Sequence, residues 1–154
     1  IVDIRGNVPT RLAKVGSTVD AVVLAAAGVK RLGLQEGVPL DPRQVVPSPG
    51  QGIIAVECRE QDAELLDVLG EIDHLPTRVC AETERSFLAA LGLDCNLPAG
   101  AHATFENGTI SLFGMLGSPD DACIERMHIE GRDASIGRSL ALALMEKVHT
   151  EALP

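Results

Sequence analysis

The sequence predicts a piece of α/β sheet over the first part of the chain. It then predicts an α+β unit with a three-stranded antiparallel sheet and flanking helices. Three observations carry this. Near the N terminus, short apolar runs suited to buried strands alternate with short helical patterns, the order expected of an α/β sheet. Pro39, Pro42, Pro47 and Pro49 punctuate residues 35–50, which reads as a connector and a boundary. After about residue 101 the apolar period changes to two, and Asn107-Gly108 interrupts it with a hairpin signal.

Taken in order, Val2-Asp3-Ile4 reads as a strand end, followed by Gly6-Asn7 and a helix over 9–15. Asn7 or Thr10 can cap that helix, and Pro9 suits its first turn. A strand end, a glycine and a helix start can hold an anion on free backbone N–H groups. Arg5 and Arg11 flank this turn. Their planar forks could converge on one carboxylate, or they could be two solvated arginines. Residues 20–26 have the apolar centre of a buried parallel strand, and the run Ala25-Ala26-Ala27-Gly28 lets another group approach the backbone closely. A helical turn or two follows over 29–34, with Lys30 and Arg31 solvated. Residues 52–58 repeat the buried-strand pattern through Ile53, Ile54, Ala55 and Val56. Gln51 stands between two glycines just before it, and Cys58 is most simply a core residue.

A helix is predicted over 60–72, with Ala63, Leu65, Leu66 and Leu69 as its apolar stripe. Residues 73–77 break the pattern, and Thr77 can cap a helix over 78–91 whose first half carries Glu82 and Glu84. Val79, Cys80, Thr83, Phe87, Leu88 and Leu91 line one side of it. Gly92 is the expected stop, and Pro98 and Gly100 keep the following residues irregular, so Cys95 falls on a loop. A thiol there could be a nucleophile open to a small molecule, but spacing alone favours small apolar filler. Strands are predicted over 102–105, 109–116 and 122–130, with Cys123 structural within the last. The final helix over 135–151 buries Leu140, Leu144, Met145 and Val148.

Composition narrows the function classes. A net charge of −9 argues against non-specific nucleic-acid binding and makes the position of each arginine informative. No apolar run reaches the length of a membrane span. Ile1-Val2-Asp3-Ile4-Arg5 lacks the basic start and apolar stretch of a signal peptide. Cys58, Cys80, Cys95 and Cys123 form no CxxC pair, so free thiols in a reducing, cytoplasmic setting are expected. His74, His102, His128 and His149 lack partners at zinc-like spacing, and no metal site is expected.

Four stretches, in order, resemble the porphobilinogen deaminase (hydroxymethylbilane synthase) family. They are Asp3-Ile4-Arg5-Gly6-Asn7-Val8-Pro9-Thr10-Arg11-Leu12, the run from Asp20 to Leu34 containing Ala25-Ala26-Ala27-Gly28, Pro49-Gly50-Gln51-Gly52 through Glu57-Cys58-Arg59, and the loop from Leu91 to Gly100. Leu93 and Asp94 stand where the family usually has two glycines before the cysteine.

The resemblance implies a transferase of haem and chlorophyll (tetrapyrrole) biosynthesis. It condenses four porphobilinogen molecules head-to-tail into hydroxymethylbilane, releasing ammonia, on a covalently bound dipyrromethane cofactor. By resemblance Cys95 is the thioether attachment point, and Arg5 and Arg11 bind the acidic side chains of the pyrroles. Gln51 lies in the cleft, and Gly28 belongs to the same cofactor-binding set. The first part of the chain would be a piece of a periplasmic-binding-protein-like domain. Residues 1–46 would complete domain 2, residues 47–72 would return to domain 1, and residues 73–154 would form domain 3. The family's catalytic aspartate lies upstream of the Arg5-Gly6-Asn7 motif, so no catalytic residue is carried over and Asp94 does not match it. The chain is therefore expected to be the C-terminal half and inactive alone. Its partners would be porphobilinogen, the growing polypyrrole, and either the missing N-terminal half or a second copy joined through exposed sheet edges. Two other readings stay open: a non-catalytic anion-binding α/β module, and a structural fragment with Cys95 as filler.

Overall fold

The computed structural model describes residues 1–92, 98–118 and 123–151, with the side chains of 149–151 excepted. The chain divides into two compact units, residues 1–40 and 41–154.

The N-terminal unit holds α1 (Val8–Leu12) and α2 (Ala26–Arg31). Asn7 caps α1, its Oδ1 accepting the Thr10 N–H at 3.0 Å and the Thr10 hydroxyl at 2.7 Å. A turn after α1 closes through an isolated bridge between Val15 and Val19. The strands expected over 2–4 and 20–26 do not form, and neither does the one over 52–58 in the other unit. A strand needs a neighbour to take its backbone N–H and C=O groups. Val23 is 78% exposed and Ile54 90%, so neither segment has one here. The α/β sheet expected of the first part is accordingly not seen among the described residues.

The larger unit carries α3 (Ala63–Ile72), α4 (Leu75–Leu91), β1 (Ala99–Glu106), β2 (Thr109–Gly117), β3 (Ile124–Gly131) and α5 (Ser135–Glu151). The sheet is an antiparallel meander in the order β1-β2-β3. Its first turn is set by Asn107 (φ 53°) and Gly108 (φ 76°), the paired positive angles of a type I′ hairpin. The register pairs Glu106 with Thr109 and Ala99 with Leu116, then Ile110 with Gly131 and Gly117 with Ile124.

Period two in the strands and 3.6 in the helices then place one apolar set between the two layers. Ala101 and Ala103 of β1, with Ile110, Leu112 and Leu116 of β2, face Phe87 of α4 and Leu140, Ala141, Leu144 and Val148 of α5. Each large side chain fully buried there stabilises the unit by about 1.5–3 kcal/mol. The two helices meet closely at Gly137 of α5, where an added Cβ would overlap the Thr83 carbonyl oxygen and sit 2.7 Å from the Phe87 nitrogen.

Two expectations for α4 change. The helix starts at Leu75, because Pro76 is tolerated in a first turn, where no intrahelical N–H is needed. Thr77 is thus inside the helix, with its hydroxyl 2.8 Å from His74 Nδ1. Leu88, expected on the buried side, is 41% exposed. The third strand begins at Ile124, so Cys123 precedes it. No helix among the described residues is long and apolar enough to cross a membrane.

Candidate functional site

The Arg5-to-Lys14 stretch has three cations and no acid in a chain of net charge −9. Its backbone carbonyls hold two of them. Arg11 donates from Nε to the Gly6 carbonyl at 2.7 Å, and Lys14 donates from Nζ to the Arg5 carbonyl at 3.0 Å. Neither arginine forms an ion pair with an acidic side chain among the described residues. The Arg11 guanidinium is held by its Nε, which leaves its two terminal NH₂ groups directed by that anchor. The backbone-anion arrangement expected at this turn is altered, because the Thr10 N–H is already taken by Asn7. Side-chain cations, rather than the helix start, are what this turn offers an acid. Lys14 was not singled out from the sequence, although its place one turn after Arg11 put it within reach. Gly28 lies on α2 in the same unit. A Cβ there would meet Val8 of α1 at 3.6 Å, so the group approaching this glycine is an α1 side chain.

In the larger unit, residues 46–52 run against the sheet and α4. The Ala101 N–H of β1 donates to the Pro47 carbonyl at 2.9 Å. The Gln51 N–H then closes a turn onto the Ser48 carbonyl at 3.0 Å, and the Gln51 side-chain oxygen accepts the Ser48 N–H at 3.2 Å. Gln51 is exposed at the tip of this turn. Glu84 of α4, only 4% exposed, reaches it from below. Its Oε2 accepts the Gly50 N–H at 2.6 Å and its Oε1 accepts the Ala103 N–H of β1 at 2.8 Å. From the sequence, Glu84 reads as an acid suited to the first half of a helix. The signal that could have found it is spacing: Cys80, Glu84, Phe87 and Leu91 share one stripe. A carboxylate on a buried stripe needs donors, and these two backbone N–H groups are its donors.

Nearby, Arg43 lies 5.3 Å from the Phe113 ring centre, and Phe113 stacks on His128 at 4.2 Å between centroids. This ties the connector to the outer face of the sheet.

Cys95, the expected attachment residue, lies outside the described residues, as do its neighbours Leu93, Asp94, Asn96 and Leu97. The elements on either side are described: α4 ends at Leu91 and β1 begins at Ala99. The other three cysteines are half-buried and outside any disulfide. Burial pushes the Cys80 thiol up, and the nearby Glu84 charge adds to this, so Cys80 stays protonated and a poor nucleophile near neutral pH.

The structure thus ties Arg11 and Lys14 to the Gly6 and Arg5 carbonyls in one unit, and ties the turn that carries Gln51 to Glu84 in the other. Against known proteins, two family models match in tandem. "Porphobilinogen deaminase, dipyromethane cofactor binding domain" matches residues 1–67, and "Porphobilinogen deaminase, C-terminal domain" matches residues 78–146. The chain is 44% identical over 153 residues to a porphobilinogen deaminase of Coxiella burnetii (strain RSA 493 / Nine Mile phase I), covering 96% of this chain and 50% of that protein. It is 42% identical over 151 residues to one from Roseiflexus castenholzii, covering 95% of this chain and 50% of the relative. Over 153 residues it is 42% identical to one from Xanthomonas campestris pv. campestris (strain B100), covering 96% and 50% respectively. The chain spans about half the length of these curated relatives. With both matches in the same order and nearly the whole chain aligned, the chain belongs to the porphobilinogen deaminase family.

Proposed function

We propose that this chain supplies the C-terminal part of a porphobilinogen deaminase, a transferase that condenses porphobilinogen into hydroxymethylbilane with release of ammonia. The observation that carries the reading is the tandem match of both family models across residues 1–67 and 78–146. In this reading residues 1–46 close the second domain, residues 47–72 return to the first, and residues 73–154 form the third. The catalytic aspartate is contributed by the other half of the relatives' length, so this chain alone is inactive. The setting is cytoplasmic.

A dipyrromethane group, when bound, supplies the primer on which the pyrrole chain is extended. The chemistry of the donors here fits such an acid-decorated group. Arg5, Arg11 and Lys14 present cations at one turn, with Arg11 oriented by its bond to Gly6. Charge-assisted forks of this kind hold carboxylates with defined geometry. Gly28 belongs to the same set in this reading, on α2 beside Val8 of α1. In this reading Gln51 lies in the family's cleft, and its turn is tied down by Ser48 and Glu84. Cys95 holds the group by a thioether, a bond stable enough to persist through turnover. The tether makes each addition effectively intramolecular in one partner.

The remaining half also explains the exposed apolar positions. Val23, Ile54 and Val56 would complete sheets, and Leu65, Leu66 and Val68 of α3 would be covered. Intact-mass measurement on the chain assembled with the remaining half tests the reading. Two pyrrole units on Cys95 are expected, and Cys95→Ser should remove both the adduct and nearly all activity. An unmodified thiol in an active assembly would overturn the attachment, and an inactive assembly of both halves would overturn the function. Size-exclusion chromatography checks the partner surface. The chain alone should self-associate or bind the other half, and a stable compact monomer indifferent to it would count against that.

A further inference from the structure

We propose that Glu84 is a positioning residue whose single carboxylate fixes the turn that presents Gln51 relative to α4 and β1, the two elements that flank residues 93–97 in the chain. The inference rests on the site reading above and goes beyond it, since it assigns a role to a buried side chain that the reading does not use.

The geometry is a junction of three segments. Glu84 belongs to α4, which ends at Leu91, four residues before Cys95 in the sequence. Its Oε1 takes the Ala103 N–H on β1, the strand that begins at Ala99, four residues after Cys95 in the sequence. Its Oε2 takes the Gly50 N–H at 2.6 Å, in the turn whose next residue is Gln51. At 4% exposure the carboxylate is out of water, and among the described residues no lysine or arginine pairs with it. A side chain needed only to fill space here could be apolar. A carboxylate is tolerated only while both donors are held in place.

The junction also predicts where loosening would stop. The Pro47 end of the segment has its own tie, from the Ala101 N–H. Removing the carboxylate therefore frees the 48–52 tip and leaves the 46–47 end on the sheet. A glutamine at position 84 keeps one acceptor oxygen and turns an NH₂ toward the second N–H, so it cannot serve both.

Amide hydrogen exchange on this chain, native and carrying Glu84→Gln, is the test. The native Gly50 amide should be protected. In the variant, exchange should rise about tenfold or more at Gly50, or at Ala103 where the remaining oxygen stays with Gly50, the loss of one hydrogen bond to a charged acceptor. The Ala101, Leu112 and Gly114 amides should stay within about twofold. An unprotected native Gly50 amide overturns the proposal without any variant having to fold. Unchanged exchange at both Gly50 and Ala103 in the variant overturns it too. So does a common rise at all amides, which would make Glu84 a stability residue alone. In the assembled enzyme the same variant should raise the KM for porphobilinogen while the Cys95 adduct is retained. Glu84→Asp, which keeps the charge but is one methylene shorter, should restore neither bond fully. Loosened Gly50 exchange with unaltered kinetics supports the junction and overturns the placement of Gln51 in the site, so the two failures are distinguishable.

Discussion

Residues 1–72 and residues 75–148 carry apolar patterns of similar strength, yet they end in opposite states. In the later region Phe87, Ile110, Leu112, Leu140 and Leu144 are completely removed from solvent. In the earlier one no residue is buried, and Ile54, Val23 and Ile72 stand 90%, 78% and 68% exposed. The difference lies in where the partners are. The meander and its two helices are contiguous in sequence, so each apolar face meets another within the same stretch. The runs at 20–26 and 52–58 are patterned for burial on both faces, which only neighbouring strands can supply. A hydrophobic pattern states what a segment needs, and the fold shows whether these residues contain it.

The largest test of this contrast is paired. Phe87→Ala should destabilise the unit by about 3–5 kcal/mol in denaturant unfolding, through lost burial and a cavity. Ile54→Ala in the same chain should change stability by less than about 0.5 kcal/mol, because its side chain touches mostly water. Similar losses for both would break the comparison. Gly137→Ala should cost about 1–3 kcal/mol in thermal unfolding, since its Cβ meets α4 backbone that cannot rotate aside.

A smaller effect sharpens the contrast from the other side. Asn7→Ala removes the α1 cap, worth about 1 kcal/mol. Exchange at the Thr10 amide should rise while the unfolding midpoint of the C-terminal unit stays put. The smallest effect is electrostatic. Hydrogen bonds from the Ser135 hydroxyl and N–H hold the exposed Asp133 carboxyl below its ordinary pKa. A depressed folded pKa gives stability that is present above the unfolded value. It is lost as acid carries the pH down through the folded one. Asp133→Asn should therefore narrow the gap in melting temperature between neutral and acidic solution, and leave no trace of it at the acid end.

The same contrast governs what could be read from the sequence. The last helix was legible end to end, because Leu140, Leu144 and Val148 repeat at helical spacing and meet a sheet nearby. Asn107-Gly108 was legible because few other dipeptides accept two successive positive φ angles. The early strands were legible as patterns but not as structure, since pairing is a property of two segments. Pro76 misled because proline both breaks helices and starts them, and position alone distinguishes the two. Of the site, Arg5, Arg11, Gln51 and Gly28 were named by motif, and the structure adds how Arg11 and Gln51 are tied. Glu84 was missed because a glutamate in a helix reads first as solvated. Its stripe with Cys80 and Phe87 was the unused signal.

Where α4 and α5 cross, the gap between them contains a bare hydrogen at Gly137 instead of a side chain. Most helix pairs are spaced by residues that can be exchanged for shorter or longer ones, so their separation drifts as sequences diverge. Here the spacer is main chain against main chain, a hard stop with nothing to trim. Glu84 follows Thr83, the residue at that stop, so the depth at which its carboxylate is delivered is set by a backbone contact with no side chain to trim.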